Sequence, residues 1–323
     1  MDDATRNQLR LIVLVLIAFL PSILLYRYAN DTLRMHEMRA HEAELLQLAR
    51  VTAVEYEQLV VESRQLLGAL AEFPEIREGR GQACNQRLAS VLNHTPQYTT
   101  LSLIGVDGYL ACGSLTVDGG LYLGDRTYYA LATTTRQFSV GNYALGRITG
   151  KPTVGVAYPI PNPEGSDASN VLAASIDLSA LGERARERNL PEGTTFTMLD
   201  RGSNVLVRLP AGRHPLGYDT VGAVAPETFL SAPLGLKEPF IETGTDLDGV
   251  DRLFAVAPFL GGNDRMAGFL VIGREEATLL ANVDAVVRAE FRFLALTGIA
   301  VIILAWLFGH YALVRVVRVR SKE

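Results

Sequence analysis

The chain has 323 residues, a formal net charge of −5 and a mean hydropathy of +0.16. That length suits about two domains. The mild negative charge excludes a nucleic-acid binder, which needs a basic stripe, and two cysteines exclude a disulfide scaffold while allowing one bridge. Enzyme chemistry, a cofactor and a metal are not expected: there is no GxSxG, HExxH or CxxC motif, and His94 and His214 stand isolated.

The excess hydropathy sits near the ends. Residues 11–26, LIVLVLIAFLPSILLY, carry no charge, with Arg6 and Arg10 before them and Arg27 after. A membrane span needs about 20 apolar residues, which this block reaches by counting Tyr28 and Ala29 as interfacial. A cleaved signal peptide is the alternative. Against it, Arg27 would occupy position −3 of a cut after Ala29, and helix-forming sequence runs straight on. Residues 293–314, FLALTGIAVIILAWLFGHYALV, are long enough to span, and Arg315, Arg318, Arg320 and Lys322 follow. Lys and Arg are enriched on cytoplasmic flanks. The expected order is a cytoplasmic N-terminus at 1–10, a first transmembrane helix at 11–28, an extracytoplasmic region at 29–292, a second transmembrane helix at 293–314 and a basic cytoplasmic tail at 315–323. Trp306 and Tyr311 suit an aromatic belt, and His310 reads as interfacial.

Residues 31–72 lack proline and are rich in Glu, Arg, Leu, Ala and Gln, all good helix formers. Leu48, Val51, Leu59, Leu66, Leu70 and Phe73 recur at helical spacing and predict one apolar face, interrupted by Glu55 and Glu62, that faces a core, a partner helix, or each in turn. This long stalk helix (29–74) ends or kinks at Pro74. His36 and His41 read as solvated stalk residues. Residues 82–93 form a second helix. TTLSLIGVDGYLACGS then predicts a hairpin around Asp107-Gly108. Cys84 and Cys112 lie in that helix and the second strand; outside the cytoplasm they would pair, and the other reading is two buried thiols. Residues 125–135 predict a short helix with Asp125 available as its cap. Two strands follow over 137–160, turning at 149–152, then a polar loop at 161–170, a strand at 171–178 ending near Asp177, and a short helix. The second half repeats this on a smaller scale, with hairpins at 196–210 and 243–259, a last strand at 266–274 and a helix at 275–292. DLDGVD (246–251) reads as a hairpin turn, because the glutamate that closes a calcium loop is missing. The pattern as a whole is antiparallel α+β.

Certain residues carry a resemblance. They are Asp125-Arg126-Thr127-Tyr128-Tyr129-Ala130, the VGNYALGRITGKP run, Pro159-Ile160, Ser175-Ile176-Asp177-Leu178 and DLDGVDRLFAVAP. In this order, between two spans, the chain resembles the double Cache (PDC-type) sensor domain over roughly residues 30–290. The resemblance implies two PAS-like antiparallel modules, a membrane-distal one at 75–185 that binds ligand and a membrane-proximal one at 186–274. It also implies an exit helix at 275–292. In the amino-acid-binding branch of that family, Arg126, Tyr128, Tyr129 and Asp177 match ligand-holding positions, and Tyr143 matches a further tyrosine. The tyrosine expected five residues before Arg126 is Leu121, with Tyr122 one residue on, and the aspartate expected two after Tyr143 is Leu145. Asp125, Tyr122 and Arg147 border the same region. The alternative for the charged members is an internal lock, with Asp125 or Asp177 paired to Arg126.

The expected function is therefore an extracytoplasmic sensor for an amino acid or small carboxylate. It would sit in the bilayer, dimerise in parallel along the 31–72 helix, and signal to an output of histidine kinase, diguanylate cyclase or chemotaxis type, either in a longer protein or in a separate partner. A membrane-anchored scaffold without ligand is the competing reading.

Overall fold

The computed structural model describes residues 3–79, 81–117, 120–160, 169–188, 190–210, 220–230, 236–262, 265–279 and 281–320; side chains at 3–16, 18, 282–284, 305 and 308–320 lie outside the described set. Most of the 161–170 loop, His214 and the side chain of His310 are among the residues not described. The chain forms two compact units, Glu42–Glu276 and the pair of ends Met1–His41 with Ala277–Glu323.

Helix α1 runs unbroken from Asp3 to Ala71. Its end follows from Pro74, which disfavours helical backbone at Phe73 (ψ 132°) and then opens the short α2, Pro74–Arg77. Within Glu42–Glu276, the buried face of α1 is Leu45, Ala49, Ala53, Tyr56, Leu59, Leu67 and Leu70. This face is rotated from the predicted stripe: Val51 and Phe73 are exposed, and Leu48 and Leu66 half-buried. The physical reason is close approach. Small residues (Ala49, Thr52, Ala53, Ser63) face inward, and hydropathy alone does not mark them.

The first module follows α1 and α2. Helix α3 (Gln82–Leu92) leads to β1 (Tyr98–Ile104), β2 (Leu110–Gly113), α4 (Thr127–Thr135), β3 (Ser139–Leu145), β4 (Pro152–Ile160) and β5 (Asn170–Asp177). The strands form one antiparallel sheet in the order β2-β1-β5-β4-β3. The predicted Asp107-Gly108 turn is present, with Gly108 at φ 80°, a conformation glycine adopts freely. Cys84 and Cys112 are joined, tying α3 to β2 with Cα atoms 6.1 Å apart.

Helix α5 (Leu178–Arg186) opens the second module, followed by β6 (Thr194–Asp200), β7 (Val205–Leu209), β8 (Phe240–Thr245), β9 (Asp251–Leu260) and β10 (Met266–Glu275). The order β7-β6-β10-β9-β8 repeats the first sheet strand for strand. Asp246-Leu247-Asp248-Gly249 is a hairpin turn between β8 and β9. Both sheets rest on α1. Ser63 Oγ lies 2.8 Å from the Tyr98 hydroxyl on the first, and Tyr56 packs on Phe196, ring centroids 6.1 Å apart, on the second.

In the unit made by the ends, α1 meets α7 (Ala281–Arg320), which follows the short α6 (Glu276–Leu279). The Tyr26 hydroxyl donates to the Val287 carbonyl (2.6 Å), and the Tyr26 and Phe291 rings lie 6.2 Å apart. A Cβ at Gly298 would touch the Phe19 ring at 3.8 Å, so the two helices run antiparallel. Among the described residues no helix is long and apolar enough to cross a membrane; the expected spans include 11–16, 18, 305 and 308–314, whose side chains are not described.

Candidate functional site

A narrow cleft lies between α4 and the first sheet, with the β3–β4 hairpin as its second lip. Its floor is built from alternate positions of three neighbouring strands: Thr100 and Ser102 of β1, Thr153 and Gly155 of β4, Ala173 and Ser175 of β5. Alternation puts such residues on one face. Small side chains there leave room that larger ones would fill. Two of the hydroxyls donate within the floor: Thr100 Oγ1 to Ser175 Oγ (3.1 Å), and Thr153 Oγ1 to the Ala144 carbonyl (3.1 Å).

Arg126 is the N-cap residue of α4, in extended backbone, and makes no side-chain cap. Its guanidinium instead reaches across the cleft and donates to the Leu145 carbonyl (3.0 Å). Tyr128, one residue into the helix, lines the cleft over Gly155, where an added Cβ would fall 2.1 Å from the ring. Burial pushes its hydroxyl pKa up to about 12. Arg147, on the opposite lip, grips Asp125 with two hydrogen bonds (2.7 and 2.6 Å) and donates to the Tyr122 carbonyl (2.5 Å). Those bonds hold the Asp125 carboxyl below its usual range. Asp125 is therefore not the cap of α4. Arg147 holds its carboxylate, and the short helix starts two residues later.

The two arginines lace the lips together, and the cleft between them holds only about 30 Å³ of free space. That is room for a water or two, so a ligand must part the lips. The laces are exposed (Arg147 36%, Asp125 49%), and such pairs contribute about 1 kcal/mol or less each. Opening is cheap.

The remaining expected residues lie elsewhere. Tyr129 is buried in the core with Ile104, Leu123, Ala132 and Val171, its hydroxyl donating to the Gly105 carbonyl (2.9 Å). Tyr143 turns toward the second module: a Cβ at Gly222 would collide with its ring, and its amide donates to Asp200 Oδ2 (2.8 Å). Tyr122 stacks edge-on with Tyr109 at 5.2 Å. Asp177 continues the Ala173–Ser175 row on the floor face. It caps α5 by accepting from the Ser179 amide (2.8 Å) and pairs with Lys151 (3.2 Å). Neither Asp125 nor Asp177 pairs with Arg126. Leu145, where an aspartate was expected, contributes only its carbonyl to Arg126. The hydroxyl floor was not foreseen. Its signal was available, since Thr100, Ser102 and Ser175 are small polar residues at alternate positions of otherwise apolar strands.

No protein-family model and no curated protein matches the sequence. Solved structures do match. The extracellular domain of the putative histidine kinase rpHK1S-Z16 superposes with a TM-score of 0.62 at 17% identity, covering 75% of this chain and 98% of its own. The ligand-binding domain of the Pseudomonas fluorescens chemoreceptor CtaA, in complex with L-isoleucine, gives 0.58 at 14%, covering 77% and 98%. That of the Pseudomonas aeruginosa chemoreceptor PctB, in complex with L-Arg, gives 0.53 at 16%, covering 74% and 97%. The chain has the double Cache fold. Its structural neighbours are extracellular sensor domains of kinases and chemoreceptors. The long helix and twin antiparallel sheets expected for a Cache domain are thus present, and the cleft lies in the first of its two modules.

Proposed function

We propose that this double Cache chain is a membrane-anchored sensor whose first module, the one farther from the bilayer, binds a small carboxylate-bearing ligand. The observation that carries this reading is Arg126. Among the described residues it has no carboxylate partner, and its fork is spent on a single backbone carbonyl of the opposite lip. A carboxylate takes such a fork with two charge-assisted hydrogen bonds, stronger than the neutral one they replace. Tyr128 supplies the apolar wall and the hydroxyl floor supplies further donors. Ligands of the neighbours include L-isoleucine and L-Arg, so amino acids belong in the test set. Here an α-ammonium would have to displace Lys151 from Asp177. Plain carboxylates and hydroxy acids, which leave that pair intact, are favoured. Differential affinity for the laced and parted states would be the signal, passed to an output of kinase, cyclase or chemotaxis type.

Anchoring rests on the apolar blocks at 11–28 and 293–314. The antiparallel contacts of Tyr26 with Val287 and Phe291 support it, because they set the edges of both blocks side by side. Leu20, Leu24, Leu25, Leu296 and Leu304 face outward from this pair, a patch that water does not favour. A parallel dimer along α1 is supported by Val51, Val54 and Val61, exposed at spacings of three and seven. Crosslinking of a Val54→Cys chain in membranes tests the dimer, and a wholly monomeric outcome removes it.

The test of the ligand is thermal unfolding of the compact unit Glu42–Glu276 with small carboxylates, hydroxy acids and amino acids. A ligand at about 100 times its Kd stabilises by about 2.7 kcal/mol, or several degrees. Arg126→Ala abolishes that shift and leaves the unliganded protein within about 1 kcal/mol of wild type, since it loses one exposed hydrogen bond. A full shift in the variant would remove Arg126 from the site. Absence of any hit on folded protein would favour the scaffold reading.

A further inference from the structure

A second groove lies within the unit formed by the ends, between α1 and α7, with about 680 Å³ of open space. Arg27 lines it from α1, and Arg288 and Arg292 from α7, beside Tyr26 and Phe291. Among the described residues none of these three guanidiniums has a carboxylate partner; Arg292 Nε donates only to the Arg288 carbonyl (3.2 Å). Three like charges around one groove repel one another unless an anion joins them. Asn30 adds a second feature. It lines the same groove, and its Oδ1 is buried without a hydrogen-bond partner. A buried acceptor of this kind calls for a donor.

Place in the chain says where the anion would come from. Arg27 directly follows the apolar block that ends at Tyr26, and Arg292 directly precedes the block that starts at Phe293. The antiparallel pairing brings these two positions to one level. On the two-span reading proposed above, on which this inference rests, that level is the extracytoplasmic edge of the hydrocarbon. Phosphate groups of lipids lie there, and arginines beside a bilayer are drawn to anionic headgroups.

We propose that this groove binds the headgroup of an anionic phospholipid bearing free hydroxyls, of the glycerol-phosphate type. The phosphate is held by Arg27, Arg288 and Arg292, and a headgroup hydroxyl donates to Asn30 Oδ1. The bound lipid would brace α1 against α7 where an extracytoplasmic signal must enter the membrane.

The test uses the full chain in mild detergent, with native mass spectrometry in an equimolar mixture of phosphatidylglycerol and phosphatidylcholine. Wild type retains phosphatidylglycerol about tenfold over phosphatidylcholine. The triple variant Arg27→Gln/Arg288→Gln/Arg292→Gln loses that preference, and Arg39→Gln, outside the groove, keeps it. An unchanged thermal midpoint shows that the variants are folded. Equal retention of the two lipids by wild type, or undiminished preference in the triple variant, overturns the proposal. So does equal competition by soluble glycerol phosphate, which would make the site one for a free phosphate. Carbonate extraction of membranes separates the two levels: a chain released by carbonate defeats the two-span reading itself, whereas a retained chain with no lipid preference defeats only the groove.

Discussion

In the first module the sheet face covered by the β2–β3 connection carries Thr100, Ser102, Gly155, Ala173 and Ser175 beneath α4. In the second module the face covered by the β7–β8 connection carries Leu199, Phe254, Val256, Phe269 and Val271, packed with Ala225 and Phe229. Strand order is the same in both. Side-chain size therefore makes the difference between a cleft and a core. The modules are also braced differently. A disulfide ties α3 to β2 in the first. In the second, Arg208 and Arg252 converge on the buried Asp246, with Arg208 also donating to Thr197 (2.7 Å) and Arg252 pairing with Asp248 (2.8 Å). The first module leaves a narrow cleft on part of this sheet face, and the second fills the face with apolar side chains.

The largest effect expected from breaking this contrast is in the second module. Asp246→Ala removes the buried carboxylate from Arg208 and leaves Arg252 with Asp248, and breaking a buried pair from one side costs about 3–5 kcal/mol. At about 2–4 °C per kcal/mol for a unit of this size, the midpoint falls by roughly 10 °C. A fall below about 2 °C would mean that the cluster does not hold the module. Replacing Arg208, Asp246 and Arg252 together by apolar residues of similar volume should be far milder. Next comes the bridge. Cys84 and Cys112 are 28 residues apart, and opening such a loop costs about 3–4 kcal/mol in the chain-entropy view. Cys84→Ala/Cys112→Ala lowers the midpoint by about as much as Asp246→Ala, and reductant has no further effect on it.

These braces differ in how far the sequence disclosed them. The bridge was readable, because only two cysteines exist and the apolar ends place them outside the cytoplasm, where thiols tend to pair. The Arg208–Asp246–Arg252 cluster was not: the DLDGVD run showed a turn, but nothing local told that β7 would bring Arg208 beneath it. The hairpins at Asp107-Gly108 and Asp248-Gly249 were legible because turn chemistry is local. The buried face of α1 was legible in part: Leu59 and Leu70 lie on it as expected, whereas Ala49, Thr52, Ala53 and Ser63, small residues invisible to hydropathy, mark the closest packing. For the candidate site, Arg126 and Tyr128 of the expected set line the cleft together. Tyr129 and Tyr143 are equally aromatic and adjacent in motif, yet one points to the core and one to the second module, a matter of helical phase and of a register shift in β3 between Val140 and Tyr143.

Making the first module resemble the second sharpens the contrast at the cleft. Gly155→Val puts a branched side chain where Tyr128 now lies, since even a Cβ would come within 2.1 Å of that ring. Tyr128 must swing out and the floor fills. The ligand-induced stabilisation of about 2.7 kcal/mol disappears in thermal unfolding with the same compounds, and circular dichroism stays that of a folded protein. A variant that still shifts by the full amount would place the ligand elsewhere than over Gly155.

The smallest effect concerns the laces. Asp125 has its pKa lowered by the hydrogen bonds from Arg147. A depressed carboxyl stabilises above its unfolded pKa, and that contribution is lost as pH falls through the folded value. The pair therefore stabilises at neutral pH and ceases to do so only in acid, below about pH 4. Being exposed, it contributes under about 1 kcal/mol. Asp125→Asn should cost that little at pH 7 and nothing once the wild-type carboxyl is protonated. Its informative consequence is on binding. Asparagine releases Arg147 from its carboxylate, and the freed fork adds to Arg126 at the mouth, so affinity for a small carboxylate rises several-fold while affinity for a cationic amine does not. Were affinity to fall instead, Asp125 would be orienting Arg147 for the ligand, and the pair would be part of the binding site and not merely a lace that a ligand must undo.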